Sequence, residues 1–166
     1  LALFTGMRRG EVFKLKWNDI NFIRKNISIK DPKSGLDETI PLNEMALSVL
    51  NNHKKEESEF VFPGLRGNQR KTTPRSLRRI IKKAGLKDFR PFQGLRHAYA
   101  STLASSGKVD LYTLQKLLTH KSPLMTQRYA HLSNEAMMEA SNVISEITKS
   151  ETENIKLDRH KKRKGK

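Results

Sequence analysis

Cysteine is absent from the 166 residues. That excludes disulfide scaffolds, zinc–thiolate sites and thiol nucleophiles. Aromatic side chains are sparse at 7%, with a single tryptophan. No apolar run approaches the ~20 residues that a membrane-spanning helix needs. Acidic charge is also scarce: 17 Asp and Glu stand against 33 Lys and Arg, a formal net charge of +16. Apolar residues make up 36% of the chain, below the globular average but with enough Leu, Ile, Phe and Val for one core. These balances predict a single soluble intracellular domain with a polyanionic partner.

The positive charge is unevenly placed. Residues 66–90 hold ten basic groups and one acidic group, a net of +9, and residues 156–166 hold seven and one, a net of +6. Everything else sums to +1. Blocks of this kind read first as nucleic-acid contacts. The first block contains the clearest helix signal, with Thr73 as N-cap, Pro74 at the first helical position and Gly85 closing the end. Leu77, Ile80, Ile81 and Ala84 make one face; Arg75, Arg78, Arg79, Lys82 and Lys83 make the other. A face of mixed charge is usually only solvated. A face of one sign repels itself unless a polyanion relieves it, so these five cations are the expected DNA-binding residues.

Along the chain, LALF at residues 1–4 reads as the end of a helix. The opening on Leu1 without Met is expected to mean that an N-terminal portion is missing. Thr5-Gly6 breaks that helix, a second is expected over Met7 to Lys16, and Trp17, Ile20 and Phe22 lead out of it. Asn26–Lys30 and Glu38–Leu42 read as strands joined by a polar loop that contains Pro32, Lys33, Ser34 and Gly35. Asn43 is expected to cap a helix burying Leu47 and Leu50, and a short apolar segment, Phe60-Val61-Phe62, ends at Pro63-Gly64. Further helices are expected over Gln93–Ser105, Leu111–Leu118 and Leu124–Ala130. A last one, over Asn134–Thr148, would bury Ala136, Met137, Ala140, Val143, Ile144 and Ile147. Residues 149–166 turn polar and are expected to form a flexible tail. The fold class is therefore α+β, mostly helical, with one small antiparallel sheet and no internal repeat.

Four segments concentrate polar side chains: TGMRRGE (5–11), DPKSG (31–35), FQGLRHAYAS (92–101) and LLTHKSPLMTQRYAHL (117–132). Singly, each has a bland reading. A helix arginine is usually solvated, a lone tyrosine is usually packed with its hydroxyl satisfied, His97 among apolar neighbours suits a core histidine, and a loop lysine is usually only hydrated. Their order carries more weight: an Arg, a hairpin Lys, an LRH, then a His with a Tyr nine residues beyond it. In that order the chain resembles the tyrosine recombinase, or phage integrase, catalytic domain over residues 1–148. TGMRRGE resembles the first arginine box, KSG the catalytic-lysine hairpin, FQGLRH the HxLRH box, and LLTHKSPLMTQRYAHL the segment from the LGH box to the tyrosine.

The resemblance implies a site-specific DNA recombinase that cuts and rejoins duplex DNA through a covalent 3′-phosphotyrosyl link. Tyr129 would be the nucleophile, and Arg8 and Arg96 would hold the charge that gathers on the phosphate in the transition state. Lys33 would be the general acid for the 5′-oxygen, with Lys30 the competing candidate. His120 would hydrogen-bond the phosphate, and Glu11 would support the active-site arginine and histidine. Gln93 stands where the family usually has His. An amide can donate to phosphate but cannot take the tyrosine proton, so the base stays open. Thr119 stands where the LGH box has Gly, with an effect expected only on helix packing, and His97 is expected to pack or to support from behind. No metal or nucleotide cofactor is implied, because the phosphotyrosyl link conserves the energy of the broken bond.

The resemblance also implies double-stranded DNA as partner, a synaptic tetramer on DNA formed from free monomers, DNA-bending accessory proteins and no membrane. It places the work in the bacterial cytoplasm, at the nucleoid. Residues 134–148 would be exchanged between neighbours, and an N-terminal core-binding domain would complete a clamp around DNA. The rival readings are a silent binder of the same fold, a type IB topoisomerase and a basic nucleic-acid adaptor.

Overall fold

The structure, a computed structural model, describes residues 1–30, 37–53, 57–133 and 141–143. Helix α1 (Ala2–Thr5) ends where Gly6 takes the left-handed region, φ 65°. A β-carbon there would sit 2.6 Å from the Tyr99 ring, so the turn needs glycine on both conformational and steric grounds. Helix α2 (Arg9–Lys14) is shorter than the Met7–Lys16 span expected from sequence. After the Gly6 turn Arg8 stays extended and caps the helix, and Leu15 leaves helical geometry at the far end.

A 3-10 turn at Trp17–Asp19 leads into strand β1 (Ile20–Asn21), a two-residue edge strand too short to leave a sequence pattern. It pairs antiparallel with β2 (Asn26–Ile29), which pairs with β3 (Glu38–Pro41). The register sets Ile20 opposite Ile27 and Ile27 opposite Ile40. All three lie on one buried face, so alternation along each strand fixes which side meets the core. Asn43 caps α3 (Glu44–Asn51) by accepting from the Ala46 N–H at 2.9 Å, as expected. Ala46 and Leu50 are buried and Leu47 half-buried.

Helix α4 (Arg75–Lys83) begins one residue later than the sequence suggests, with Pro74 in the N-cap position and no side-chain cap bond. Gly85 closes it at φ 68°, with Leu86 N–H on the Ile81 carbonyl at 3.2 Å and Gly85 N–H on Lys82 at 3.1 Å. Five cations in nine residues leave little surface to bury, and no residue of α4 is buried. Helix α5 (Pro91–Ser105) runs from a proline in its first turn. Helix α6 (Leu111–Leu117) is capped by Asp110 through the Thr113 N–H at 2.8 Å. Helix α7 (Leu124–Gln127) gives way before Tyr129 to a 3-10 turn at Ala130–Ser133, so the expected single helix to Ala130 is two pieces.

Two core clusters result. One joins α1, α2, the sheet and α3 through Met7, Val12, Phe13, Ile27, Ile40 and Leu50; the other joins α5 and α6 through Ala100, Ala104, Leu114, Leu118 and Tyr129. The Phe13 and Phe92 rings meet edge to face at 5.1 Å. Of the last expected helix only residues 141–143 are described; they are helical, and Val143 is 48% exposed rather than buried. No described element covers it. Lys33, the rest of that helix and the tail lie outside the described residues.

Candidate active site

The seam between the two clusters is where three of the four polar segments converge; DPKSG lies outside the described residues. Arg8, Arg9, Phe92, Gln93, Arg96, His97, His120, Met125, Arg128 and Tyr129 line a cleft of about 280 Å³. Each comes from a different local device. Arg8 is fixed by its position at the α2 N-cap, where its N–H donates to Glu11 Oε2 at 2.6 Å. Its guanidinium meets Glu11 Oε1 at 2.8 Å. The same nitrogen donates to Thr119 Oγ1 at 2.7 Å, and Nη2 donates to the Thr119 carbonyl at 3.0 Å. Glu11 thus meets Arg8 through both the arginine's backbone N–H and its guanidinium.

Thr119 is the larger surprise. It is buried, carries a positive φ of 48°, and spends its hydroxyl on Arg8. The expectation that it touches only helix packing is corrected: a β-branched residue tolerates the left-handed region poorly, yet here it gives Arg8 an acceptor that glycine lacks.

Arg96 projects from α5 into the seam. Its Nη1 donates to the Gly6 carbonyl at 2.7 Å and its Nη2 to the Leu118 carbonyl, one partner in each half of the molecule. Burial, and then the neighbouring Arg8 charge, pulls its pKa down to about 10, which leaves it cationic at neutral pH. His120 has its Nδ1 2.8 Å from Thr126 Oγ1, and its backbone is held by Gln115 on both sides. Burial first, then the charges of Arg96, Arg8 and Arg128, lowers the imidazole pKa to about 4. The ring is therefore neutral at pH 7.

Tyr129 is buried, with its hydroxyl 2.6 Å from His97 Nδ1. Burial raises the phenol pKa, and the Arg128 and Arg96 charges oppose that. His97, expected to pack or to support from behind, instead touches the hydroxyl itself. The α5 helix explains this: His97 lies one turn beyond Gln93, on the same side, and both line the cleft. Gln93 is exposed. Sequence reasoning missed Arg9, Thr126 and Arg128, whose only signal was proximity to the two boxes. Lys33 lies outside the described residues, whereas Lys30, the competing candidate, is exposed. It lines a larger hollow of about 1080 Å³ that also reaches Arg8 and Glu11. The DNA-binding candidates Arg75, Arg78, Arg79, Lys82 and Lys83 are all exposed on α4.

Chemically, the cleft presents four guanidiniums, two imidazoles and one phenol, and its described lining includes no carboxylate. That composition binds an anion and offers it an oxygen nucleophile. Residues 1–136 match the Phage integrase family, and the chain belongs to that family. It is 34% identical to the tyrosine recombinase XerA of Pyrococcus furiosus over 82% of this chain and 49% of that protein. It is 32% identical to the integrase of Salmonella phage P22 over 96% of this chain and 45% of that protein. The crystal structure of XerA recombinase superposes with a TM-score of 0.67 at 26% identity, over 84% of this chain and 53% of that one. A XerH site-specific recombinase bound to its palindromic difH substrate superposes with a TM-score of 0.63 at 25% identity, over 86% of this chain and 43% of that one. The chain spans about half the length of the curated relatives it matches. Among the described residues no helix is long and apolar enough to cross a membrane.

Proposed function

We propose that the chain is the catalytic part of a site-specific recombinase that breaks and rejoins duplex DNA through Tyr129. One observation carries the reading: Arg8, Arg96 and His120 share a single cleft with a buried tyrosine hydroxyl. Tyr129 Oη attacks phosphorus, the bond from phosphorus to the 5′-oxygen breaks, and a 3′-phosphotyrosyl link forms. Arg8 and Arg96 stabilise the nonbridging oxygens as charge develops there, and neutral His120 adds a hydrogen bond. Lys33 supplies the proton to the departing 5′-oxygen. Attack by a 5′-hydroxyl on the phosphotyrosyl link reverses the step, so rejoining consumes no cofactor.

Residues 1–148 form the catalytic domain and 149–166 a basic tail that adds loose phosphate contact. The exposed cations of α4 follow the DNA backbone. Four copies assemble on DNA from free monomers, with DNA-bending accessory proteins and an N-terminal core-binding domain completing the clamp, in the cytoplasm of a bacterium. The relationship to the tyrosine recombinases XerA and XerC supports recombination, and that to the integrase of phage P22 supports a phage or other mobile element as its setting.

Covalent trapping on a nicked duplex tests the reading. Denaturing gels of the wild-type chain should show a DNA-shifted band that Tyr129→Phe lacks. Equal DNA binding by both proteins, with neither trapped, would leave the silent binder in its place. Relaxation of supercoils without site preference would favour the topoisomerase.

A further inference from the structure

We infer that His97 is the proton acceptor for Tyr129, doing from one turn further along α5 what Gln93 cannot do. The inference rests on the proposed function. Burial makes the phenol harder to ionise, so attack needs a base within hydrogen-bond reach. Among the described residues of the cleft, the guanidiniums of Arg8, Arg9, Arg96 and Arg128 have no acceptor, and the Gln93 amide cannot hold a proton. His120 Nδ1 is engaged with the Thr126 hydroxyl at 2.8 Å. His97 Nδ1 is 2.6 Å from Tyr129 Oη, with the two rings tilted at 51° and centroids 6.2 Å apart.

In the step, the Tyr129 O–H bond breaks and its proton passes to His97 Nδ1. The phenol oxygen bonds to phosphorus, and the 5′-oxygen leaves with the proton from Lys33. On rejoining, the imidazolium returns its proton to the departing phenol oxygen. This requires the His97 tautomer with its proton on Nε2. The polar groups that share the cleft with the ring are Gln93 and Arg96 from its own helix, Arg8 and Arg9 from the start of α2, His120, Arg128 and Tyr129.

Two measurements on the 166-residue chain test it. Nitrogen-15 NMR of the histidines should show His97 Nδ1 unprotonated at neutral pH; a proton on Nδ1 would make the ring a donor to Tyr129 and overturn the assignment. Single-turnover trapping would use a nicked duplex of the sequence the chain enriches from a random pool. His97→Gln should cleave about 10²-fold or more slowly, with DNA affinity kept and the acid limb of the pH–rate profile lost. Gln93→His added to His97→Gln should restore both rate and limb, a result that a packing role would not give. Sulfur in place of the bridging 5′-oxygen leaves without a proton, so His97→Gln should remain slow on that substrate. Rescue by sulfur, or cleavage by His97→Gln within about threefold of wild type, would overturn the inference while the phosphotyrosyl reading stands. Failure to trap the wild-type chain itself would overturn both.

Discussion

Thr119 holds a guanidinium that the proposed chemistry uses. Its hydroxyl and carbonyl together hold two nitrogens of Arg8. Thr119→Val keeps the shape and removes the acceptor. A hydrogen bond to a charged group is worth about 1.5–3 kcal/mol, so strand cleavage should fall about 10- to 100-fold while DNA affinity changes little. Thr119→Gly loses the same bond but relieves the positive φ, and it should melt at a higher temperature than Thr119→Val. Calorimetry beside single-turnover trapping checks both. His120 gives a pH signature. Its folded pKa of about 4 lies below the ordinary 6.5, so the unfolded chain takes up the proton first. Stability is fully present above pH 6.5 and is lost as pH falls from 6.5 toward 4. Solvent screening of a half-buried ring leaves about 1 kcal/mol of this. Melting temperatures of His120→Asn should be flatter than wild type across that window.

Among the elements, α3 and α4 sit at opposite ends of self-sufficiency. Helix α3 is started by Asn43, which caps Ala46 and also donates to the Phe4 carbonyl at 2.9 Å, tying the helix to α1. Asn43→Ala should cost about 1 kcal/mol, seen as a drop of roughly 2–4 °C in thermal melting. Helix α4 buries nothing. Its cations should therefore matter to DNA affinity and hardly at all to stability. Each of Arg75, Arg78, Arg79, Lys82 and Lys83 that contacts a phosphate should flatten the dependence of log affinity on log salt by about 0.9 when replaced by Ala. Fluorescence anisotropy at several salt concentrations reads that slope, and melting temperature should stay within the error of wild type.

For the whole molecule, the seam is the decisive feature. Arg96 binds a carbonyl from each core half, Gly6 on one side and Leu118 on the other. The same guanidinium that faces the cleft therefore also joins the halves. Arg96→Lys keeps the charge but replaces the planar fork by a point donor. Loss of one charged hydrogen bond should cost about 2 kcal/mol, a fall of roughly 4–8 °C in melting temperature, with cleavage falling as well. Retention of wild-type stability in Arg96→Lys would show that the apolar contacts across the seam, such as Phe13 on Phe92, hold the halves alone.

What the sequence determined by itself was local and ordered along the chain. Strands β2 and β3 were legible because apolar and polar residues alternate with period two, and α3 because Asn43 stands just before its first turn. The four boxes were legible because their residues lie close together in sequence. The sheet's first strand was not, since two residues make no pattern. Val143 was misread because helical spacing says which residues share a face but not whether anything covers it. The cleft belongs to tertiary structure alone: Arg8 and Thr119 are 111 residues apart, and His97 and Tyr129 are 32 apart. Sequence named His97 and Thr119 but could not name their partners. His97 Nδ1 lies 2.6 Å from the Tyr129 hydroxyl, and the Thr119 hydroxyl accepts from an Arg8 nitrogen at 2.7 Å; contacts at that range are set by how the two cores dock, not by the chain around either residue.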